Sequence, residues 1–501
     1  MELDLSWARH AGQARAGASA FAARAEKIVF AAICAATLLF TLITPPFQAP
    51  DEDQHWYKAV LLSEGRLLAE RQGDQVGAEL PRDAVELRIT DFPGEKAGVR
   101  FRAWPEDLRR SWANDAARQG RVFAQFPNLA NYSPTLYLPQ AAGVALAEAV
   151  GLPRIGGFYL GRLLNAATAL LLLWLALAAL PWGKAALLAV AALPTFAFQA
   201  GSLSADASIN GAAFLGLALA LRFGDAAHRK GWMLLAASPF LGLAKGVYLP
   251  VVFAGARFGG TLRDRHFRTL AAAAVAGAAA FMVWMLYSGG EPALYTTVSR
   301  KTGEQATTAP MADQLAVLLG DPLRYAGILV ESFSERFPVY VLQIVGRPGW
   351  NAFLLPLSAY ALAALMLASA IASGKGPRAG VGLRAWWLLL AAGGAVLVET
   401  ALYLTGTPYA ADYIQGTQGR YFLPLLPLVL LALMPTSTPG RWPERAGALF
   451  AGSALLLIGI GLLSALDGFW INGFVTVEGM PPLGPGAEGA ARGLLLPSPR
   501  W

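Results

Sequence analysis

Three carboxylates and an imidazole fall within five residues, Asp51-Glu52-Asp53-Gln54-His55, directly behind the proline-rich turn Pro45-Pro46-Phe47-Gln48-Ala49-Pro50. Neighbouring carboxylates raise one another's proton affinity, and low-dielectric walls raise it further, which suits a general base. The same repulsion favours a bound divalent cation such as Mg or Mn, for which the Asp51-x-Asp53 pair supplies candidate ligands. The competing reading is a helix start, because Pro50 followed by three acids complements a helix N-terminus. Both readings hold together if Asp51–Tyr57 begins a surface helix. The cluster follows an apolar run from about Lys27 to Thr44. It therefore lies where a transmembrane helix meets water, a place suited to a substrate with its tail in lipid and its head in solvent.

Further polar residues interrupt apolar sequence. Asp206 and Asn210, in Gln199–Asn210, are one turn apart at the start of an apolar segment. Ser204 or Asp206 would serve equally as a helix cap, but a polar face entering a span is expensive unless it lines a cavity. Lys245 falls at a break, Ala244-Lys245-Gly246, where it would snorkel to the interface or neutralise a lipid-linked phosphate. Arg420 and Tyr421, in Gln418-Gly-Arg-Tyr-Phe-Leu-Pro424, and Arg347, in Gly346-Arg-Pro-Gly-Trp350, are further phosphate candidates, since guanidinium pairs bidentately with phosphate. No Ser-His-Asp arrangement, glycine-rich phosphate loop or zinc signature is visible. The single cysteine, Cys34, excludes an intrachain disulfide and makes a cysteine-based metal site untenable.

These residues are carried by an all-α polytopic membrane protein. Apolar residues make up 55% of the chain and charged residues 15%, and the charges are segregated between apolar runs of spanning length. About eleven spans are expected: 27–44, 155–180, 185–200, 207–222, 231–245, 247–258, 269–287, 351–373, 385–405, 421–435 and 446–465, the fifth and sixth forming one broken hairpin. Residues 1–26 read as a cytoplasmic leader ahead of a retained signal-anchor, 27–465 as the transmembrane domain and 466–501 as an external tail. Arginines and lysines gather in alternate short loops, at Lys184, Arg222, Arg229, Lys230, Arg257, Arg263, Arg265, Arg268, Lys375, Arg378, Arg384, Arg441 and Arg445. By the positive-inside rule those loops are cytoplasmic. The net charge of +7 is thus a topology signal and gives no reason to invoke nucleic acid. Two large regions, 46–154 with several surface helices and 288–350, then lie outside, together with the ionisable cluster. Ser133–Val150 is apolar enough to span, but Pro134, Pro139 and Glu148 favour a helix lying on the surface.

In combination, Pro-Pro-x-x-x-Pro-Asp-Glu-x-x-His, Ser204-Ala-Asp-Ala207 with Asn210, Gly346–Trp350 and Gly419–Pro424 resemble the recurring motifs of an uncharacterised bacterial membrane family, the domain of unknown function numbered 2142. That family in turn is similar to the GT-C glycosyltransferases. The Pro134-Thr-Leu-Tyr137 stretch resembles one found in their first external loop, and Ala244-Lys245-Gly246 resembles their Thr-Lys-Gly break with Ala in place of Thr. The resemblance implies a GT-C-like fold with a catalytic acid just after the first span and a polyprenyl-phosphate sugar as donor. The expected function is inverting transfer of that sugar to an envelope glycan, lipid or protein at the outer face of the bacterial inner membrane. Asp51 would be the base, Glu52 or Asp53 its partner, and His55 its orienter. Lys245, Arg420 with Tyr421, and Arg347 would hold the phosphate, and Asp206 and Asn210 would line the sugar pocket. The alternatives are a flippase for lipid-linked glycans, which also uses intramembrane charge and broken helices, and a surface-polysaccharide polymerase or ligase.

Overall fold

A computed structural model describes residues 6–475 except 74, 88–99, 114–119, 226–229, 258–263, 290–295, 300–302, 352–353, 375–378 and 436–441. Arg229, Arg263, Lys375, Arg378, Arg441 and the tail from 476 lie outside the described residues. The helices run in order α1 (Ser6–Ile43), α2 (Glu52–Ser63), α3 (Arg82–Val85), α4 (Pro105–Ala113), α5 (Leu138–Ala149), α6 (Arg154–Ala179), α7 (Lys184–Ala191), α8 (Pro194–Ala200) and α9 (Asp206–Gly224). They continue as α10 (Gly231–Lys245), α11 (Arg265–Tyr287), α12 (Met311–Gly320), α13 (Pro322–Val345), α14 (Pro348–Asn351), α15 (Leu357–Ser373), α16 (Val381–Gly406), α17 (Leu426–Leu433) and α18 (Trp442–Leu466).

The protein is an all-α polytopic membrane protein. Among the described residues, seven helical runs are long and apolar enough to cross a membrane by length and composition, but one of them, Gly231–Gly255, breaks at Lys245 and folds back on itself. The other expected spans are shorter pieces. Residues 185–200 form α7 and α8, broken where Pro194 lacks the N–H that a continuing helix needs. The span expected at 351–373 begins only at Leu357, and that at 421–435 is a 3-10 segment, Gly419–Leu425, running into α17. Pro424 within the 3-10 turn removes another ladder donor.

The break at Lys245 is a hairpin. Lys245 is extended (φ −169°, ψ 108°), and a 3-10 helix, Gly246–Gly255, follows it. Gly231 lies against Thr269, Gly242 against Gly277 and Gly246 against Phe281, so α10 ascends alongside α11. The returning arm brings Gly255 back to His266 and Gly224. Lys245 is thereby the tip of a re-entrant arm roughly 22 Å long, shorter than a bilayer's apolar layer of about 30 Å. At the end to which that arm returns, Trp386 and Trp387 donate to Phe253 O and Ala254 O, and Arg384 donates to Ala432 O at 2.6 Å.

The opposite end forms a mouth. Region 46–154 folds over it with its own apolar core, in which Trp56, Val60 and Leu61 of α2 meet Ala78, Leu80, Ala124 and Phe126. The last four come from or adjoin a small antiparallel sheet, Glu70–Gln72, Gln75–Pro81 and Arg121–Gln125, which sequence reading did not include. Short strands hidden among polar residues give too weak an alternation to read. The expected surface helix in Ser133–Val150 is α5, which at twelve residues is too short to span. It packs back along α6 through two glycines, where a Cβ on Gly143 would stand 2.5 Å from Gly161 N. The second large region is only partly peripheral, because the end of α13 runs into the bundle and Gly346 rests on Leu355 and Pro194.

Gly143→Val is expected to lower stability by about 1–3 kcal/mol, the cost of overpacking a closed contact. Gly393→Ala in α16, where an added Cβ meets nothing within 4 Å, is the control. Thermal midpoints in detergent check this, and equal midpoints would show the α5–α6 contact to be loose.

Candidate active site

The proline-rich turn delivers Asp51 to the head of α2 in the left-handed conformation, φ 57° and ψ 19°. Asp tolerates that region better than most residues, though it still costs about 1–3 kcal/mol. The Asp51 carbonyl accepts from His55 N–H at 3.0 Å and opens the helix. Its carboxylate projects clear of the helix and keeps 27% of its surface.

What it meets is Arg420. The guanidinium Nη2 lies 3.7 Å from Asp51 Oδ2, and Nε lies 3.4 Å from Asp206 Oδ2. Charge-assisted hydrogen bonds close to about 2.7–2.9 Å, so Arg420 stands between two carboxylates without being locked to either. It is 7% exposed. Gly419 allows this placement: its N–H donates to Gln343 Oε1 at 2.6 Å, and a Cβ there would collide with Tyr340 O.

Asp206 is held from its own side. Ser204 Oγ accepts from Asp206 N–H, so the Asp206 carboxylate is not spent as a cap. Gln199 Nε2 donates to Asp206 Oδ2 at 3.2 Å, and Asn210 Nδ2 donates to Gln199 Oε1 at 3.2 Å. Asn210 therefore reaches the cluster through Gln199. Lys245 Nζ sits 4.3 Å from the centre of the Tyr421 ring, and Arg420 Cζ sits 5.2 Å from it, so one aromatic face system carries both cations. Tyr248 anchors this arrangement by donating to Tyr421 O at 2.7 Å. Arg347 lines a cavity of about 20 Å³ together with Arg420, Gln199 and Gln343, and its Nε is buried without a hydrogen-bond partner.

Burial pushes the Asp51 carboxyl above its usual range; Arg420 opposes the shift, and Asp53 and Asp206 reinforce it. Asn128 also hydrogen-bonds the Asp51 carboxylate, and its N–H binds Gln54 Oε1, which ties the 127–129 turn to α2. Asp53 is half-buried on the same turn. His55 is buried, with Nδ1 2.8 Å from Tyr137 Oη. Burial lowers its pKa to about 3, so its ring is neutral at ordinary pH.

Glu52 points elsewhere. It is fully buried and paired with Arg162 at 2.6 Å, whereas Arg420's carboxylate contacts go to Asp51 and Asp206. Among the described residues, no group of three or more His, Cys, Asp and Glu side chains could hold a metal ion. Asp51 and Asp53 are only two carboxylates, short of such a group; a Mg ion held by them would complete its shell with water and substrate phosphate.

The expected residues Asp51, Asp206, Lys245, Arg420 and Tyr421, some 370 positions apart at the extremes, converge on one spot. Sequence reading missed Arg162, Tyr137, Gln199 and Gln343 as contributors. A lone arginine eight residues into an apolar helix was the available signal for Arg162. Tyr137 lies within the Pro134–Tyr137 stretch already singled out.

A family described as a predicted membrane protein, DUF2142, matches residues 34–429. The chain belongs to this family. No curated protein and no solved structure matches it. The matched span contains the whole mouth, from Asp51 to Tyr421.

His55 also yields a pH prediction. Its folded pKa lies below the unfolded value of 6.5, so its neutral, bonded form stabilises the fold above 6.5. That contribution falls as pH drops from 6.5 toward 3, by up to about 1.4 kcal/mol per unit. His55→Gln should flatten the decline in thermal midpoint between pH 6.5 and 4.5. An unchanged slope would mean that His55 titrates normally.

Proposed function

We propose that the protein is an inverting membrane glycosyltransferase that moves a sugar from a polyprenyl-phosphate donor to a cell-envelope acceptor at the outer face of the bacterial inner membrane. The observation that carries this reading is Arg420, held loosely between Asp51 and Asp206 beside Lys245 and facing a cavity shared with Arg347. A base and a set of cations that near to one another suit a reaction in which a hydroxyl loses a proton while a phosphate departs with extra negative charge.

In this mechanism Asp51 takes the proton of the acceptor hydroxyl. The acceptor oxygen attacks the anomeric carbon from the side opposite the phosphate, and the carbon–oxygen bond to phosphate breaks. The electron pair leaves with the polyprenyl phosphate. Arg420, Lys245 and Arg347 stabilise that developing charge in a low-dielectric setting where it is worth most. Asp206 and Asn210, linked by Gln199, present acceptors and donors to the sugar hydroxyls. Direct attack with no enzyme nucleophile inverts the anomeric centre. The burial that raises the Asp51 carboxyl brings it closer to the affinity a base needs near neutrality. Neutral His55, bonded to Tyr137, fixes the turn of α2 that follows it.

The test is transfer of labelled sugar from a panel of polyprenyl-phosphate donors to envelope fractions. Asp51→Asn should fold normally and lose transfer by about 100-fold or more, the range of general-base loss. Full activity in that variant would remove Asp51 from the role. Arg420→Ala should weaken donor binding by at least about tenfold, the order of one charged hydrogen bond lost. The exposed Arg109→Ala should not. If no donor yields a covalent product while the label changes leaflet, the protein is a flippase of lipid-linked glycans. A product extended on a polysaccharide would make it a polymerase or ligase with the same donor chemistry.

A further inference from the structure

One fully buried ion pair beside the mouth touches none of the groups named as reacting. Arg162 and Glu52 are both 0% exposed. Arg162 Nε donates to Glu52 Oε1 at 2.8 Å and Nη2 to Oε2 at 2.6 Å, a bidentate pair. The remaining guanidinium hydrogens go to Thr41 O at 3.2 Å, Thr44 O at 2.6 Å and Pro45 O at 3.1 Å. These are carbonyls of the last turn of α1 and the first residues after it, where a helix end leaves groups without intrahelical partners; Pro45 O also accepts from Gln48 N–H at 3.3 Å.

Glu52 uses its oxygens twice. Oε1 accepts from Leu203 N–H at 3.0 Å, and Oε2 lies 3.5 Å from Ala49 N. Asn165, one turn beyond Arg162 on α6, donates to Ser202 O at 2.8 Å and Ser204 O at 3.0 Å. The face of α6 bearing Arg162 and Asn165 thus holds two loops at once. One loop ends in Asp51, next to Glu52. The other ends in Asp206, three residues after Leu203.

We infer that Arg162, acting through Glu52, is a positioning residue that sets Asp51 and Asp206 on either side of Arg420. This deepens the transferase reading and rests on it for its kinetic consequence. It assigns Glu52 to placement and Asp51, the acid set beside Arg420, to the substrate side. A lysine cannot replace Arg162, because one ammonium cannot span a carboxylate and three diverging carbonyls.

The pair's placement role can be separated from its contribution to stability. Replacing a buried ion pair by apolar residues of similar volume often leaves stability intact, so Glu52→Leu/Arg162→Met is the main variant, with Arg162→Lys and Glu52→Gln beside it. Hydrogen exchange in detergent is the first readout. The double variant should exchange faster in 44–53 and 199–206 only, with the spans protected as in the wild type. Transfer kinetics are the second. A misplacement on the ångström scale costs about 100-fold, so kcat should fall by about that factor with the donor KM within about threefold. Glu52→Gln keeps the shape but only one acceptor oxygen, so its amide NH2 meets an Arg162 donor and the buried guanidinium charge loses its partner; it should lower the thermal midpoint more than the double variant does.

Faster exchange throughout the bundle would make the pair a general stabiliser and overturn the inference. So would local exchange accompanied by unchanged kcat. If the wild type transfers no sugar, the transferase reading falls, while confined exchange in the two segments still upholds the placement of Asp51 and Asp206 by Arg162.

Discussion

A fully buried, bidentate ion pair between Arg162 and Glu52 is the constraint on which the mouth of this protein depends. Taking both charges out of water is costly, and breaking such a pair by removing one partner typically costs about 3–5 kcal/mol. The cost is tolerable here because every donor of Arg162 and both oxygens of Glu52 are used. The result is that a helix end, a proline-rich turn and the loop before α9 share one centre. The turn can then hold Asp51 at φ 57°, a conformation that needs its surroundings to over-determine it.

Around that centre the charges fall into two groups. Asp51 and Asp206 face inward from loops at the tops of α2 and α9, and Lys245, Arg347 and Arg420 come from broken or terminal backbone. Lys245 tips a re-entrant arm, Arg347 follows the end of α13, and Arg420 sits in a 3-10 turn. Irregular backbone within an apolar bundle is tolerated where it lines a polar cavity. Two of these breaks bring Lys245 and Arg420 to one tyrosine ring, and Arg347 meets Arg420 across a small cavity. On the transferase proposal, the long contacts from Arg420 to its carboxylates matter because a tightly closed pair would resist an incoming anion.

The sequence made the membrane class, the break at Lys245 and the acid cluster legible for definite reasons. Apolar runs of spanning length have few other uses, Ala244-Lys245-Gly246 interrupts one with a charge and a glycine, and charges are rare enough in such a chain to stand out; the break at Pro194 passed unread inside 185–200. Asp206, Lys245 and Arg420 were each visible as polar interruptions, but their convergence was not, because it depends on how α8, α9, α10 and the 3-10 turn pack. The division of labour within Asp51-Glu52-Asp53 was illegible for the same reason. Successive helix positions differ by about 100° in direction, and only the position of α6 decides that Glu52 faces Arg162. The small sheet in region 46–154 lacked a clear alternation, and the true length of the 351–373 segment depended on where α13 enters the bundle.

The central claim is that the mouth binds the phosphate of a lipid carrier between the cations and the Asp51 carboxylate. The most direct measurement is an experimental structure of the protein in a lipid nanodisc with undecaprenyl phosphate added. The account predicts phosphate density within hydrogen-bonding distance of Arg420 and adjoining Lys245 or Arg347, with Asp51 facing it and the prenyl chain leaving toward the bilayer. Carrier bound on another face, with Arg420 still set between Asp51 and Asp206, would contradict it.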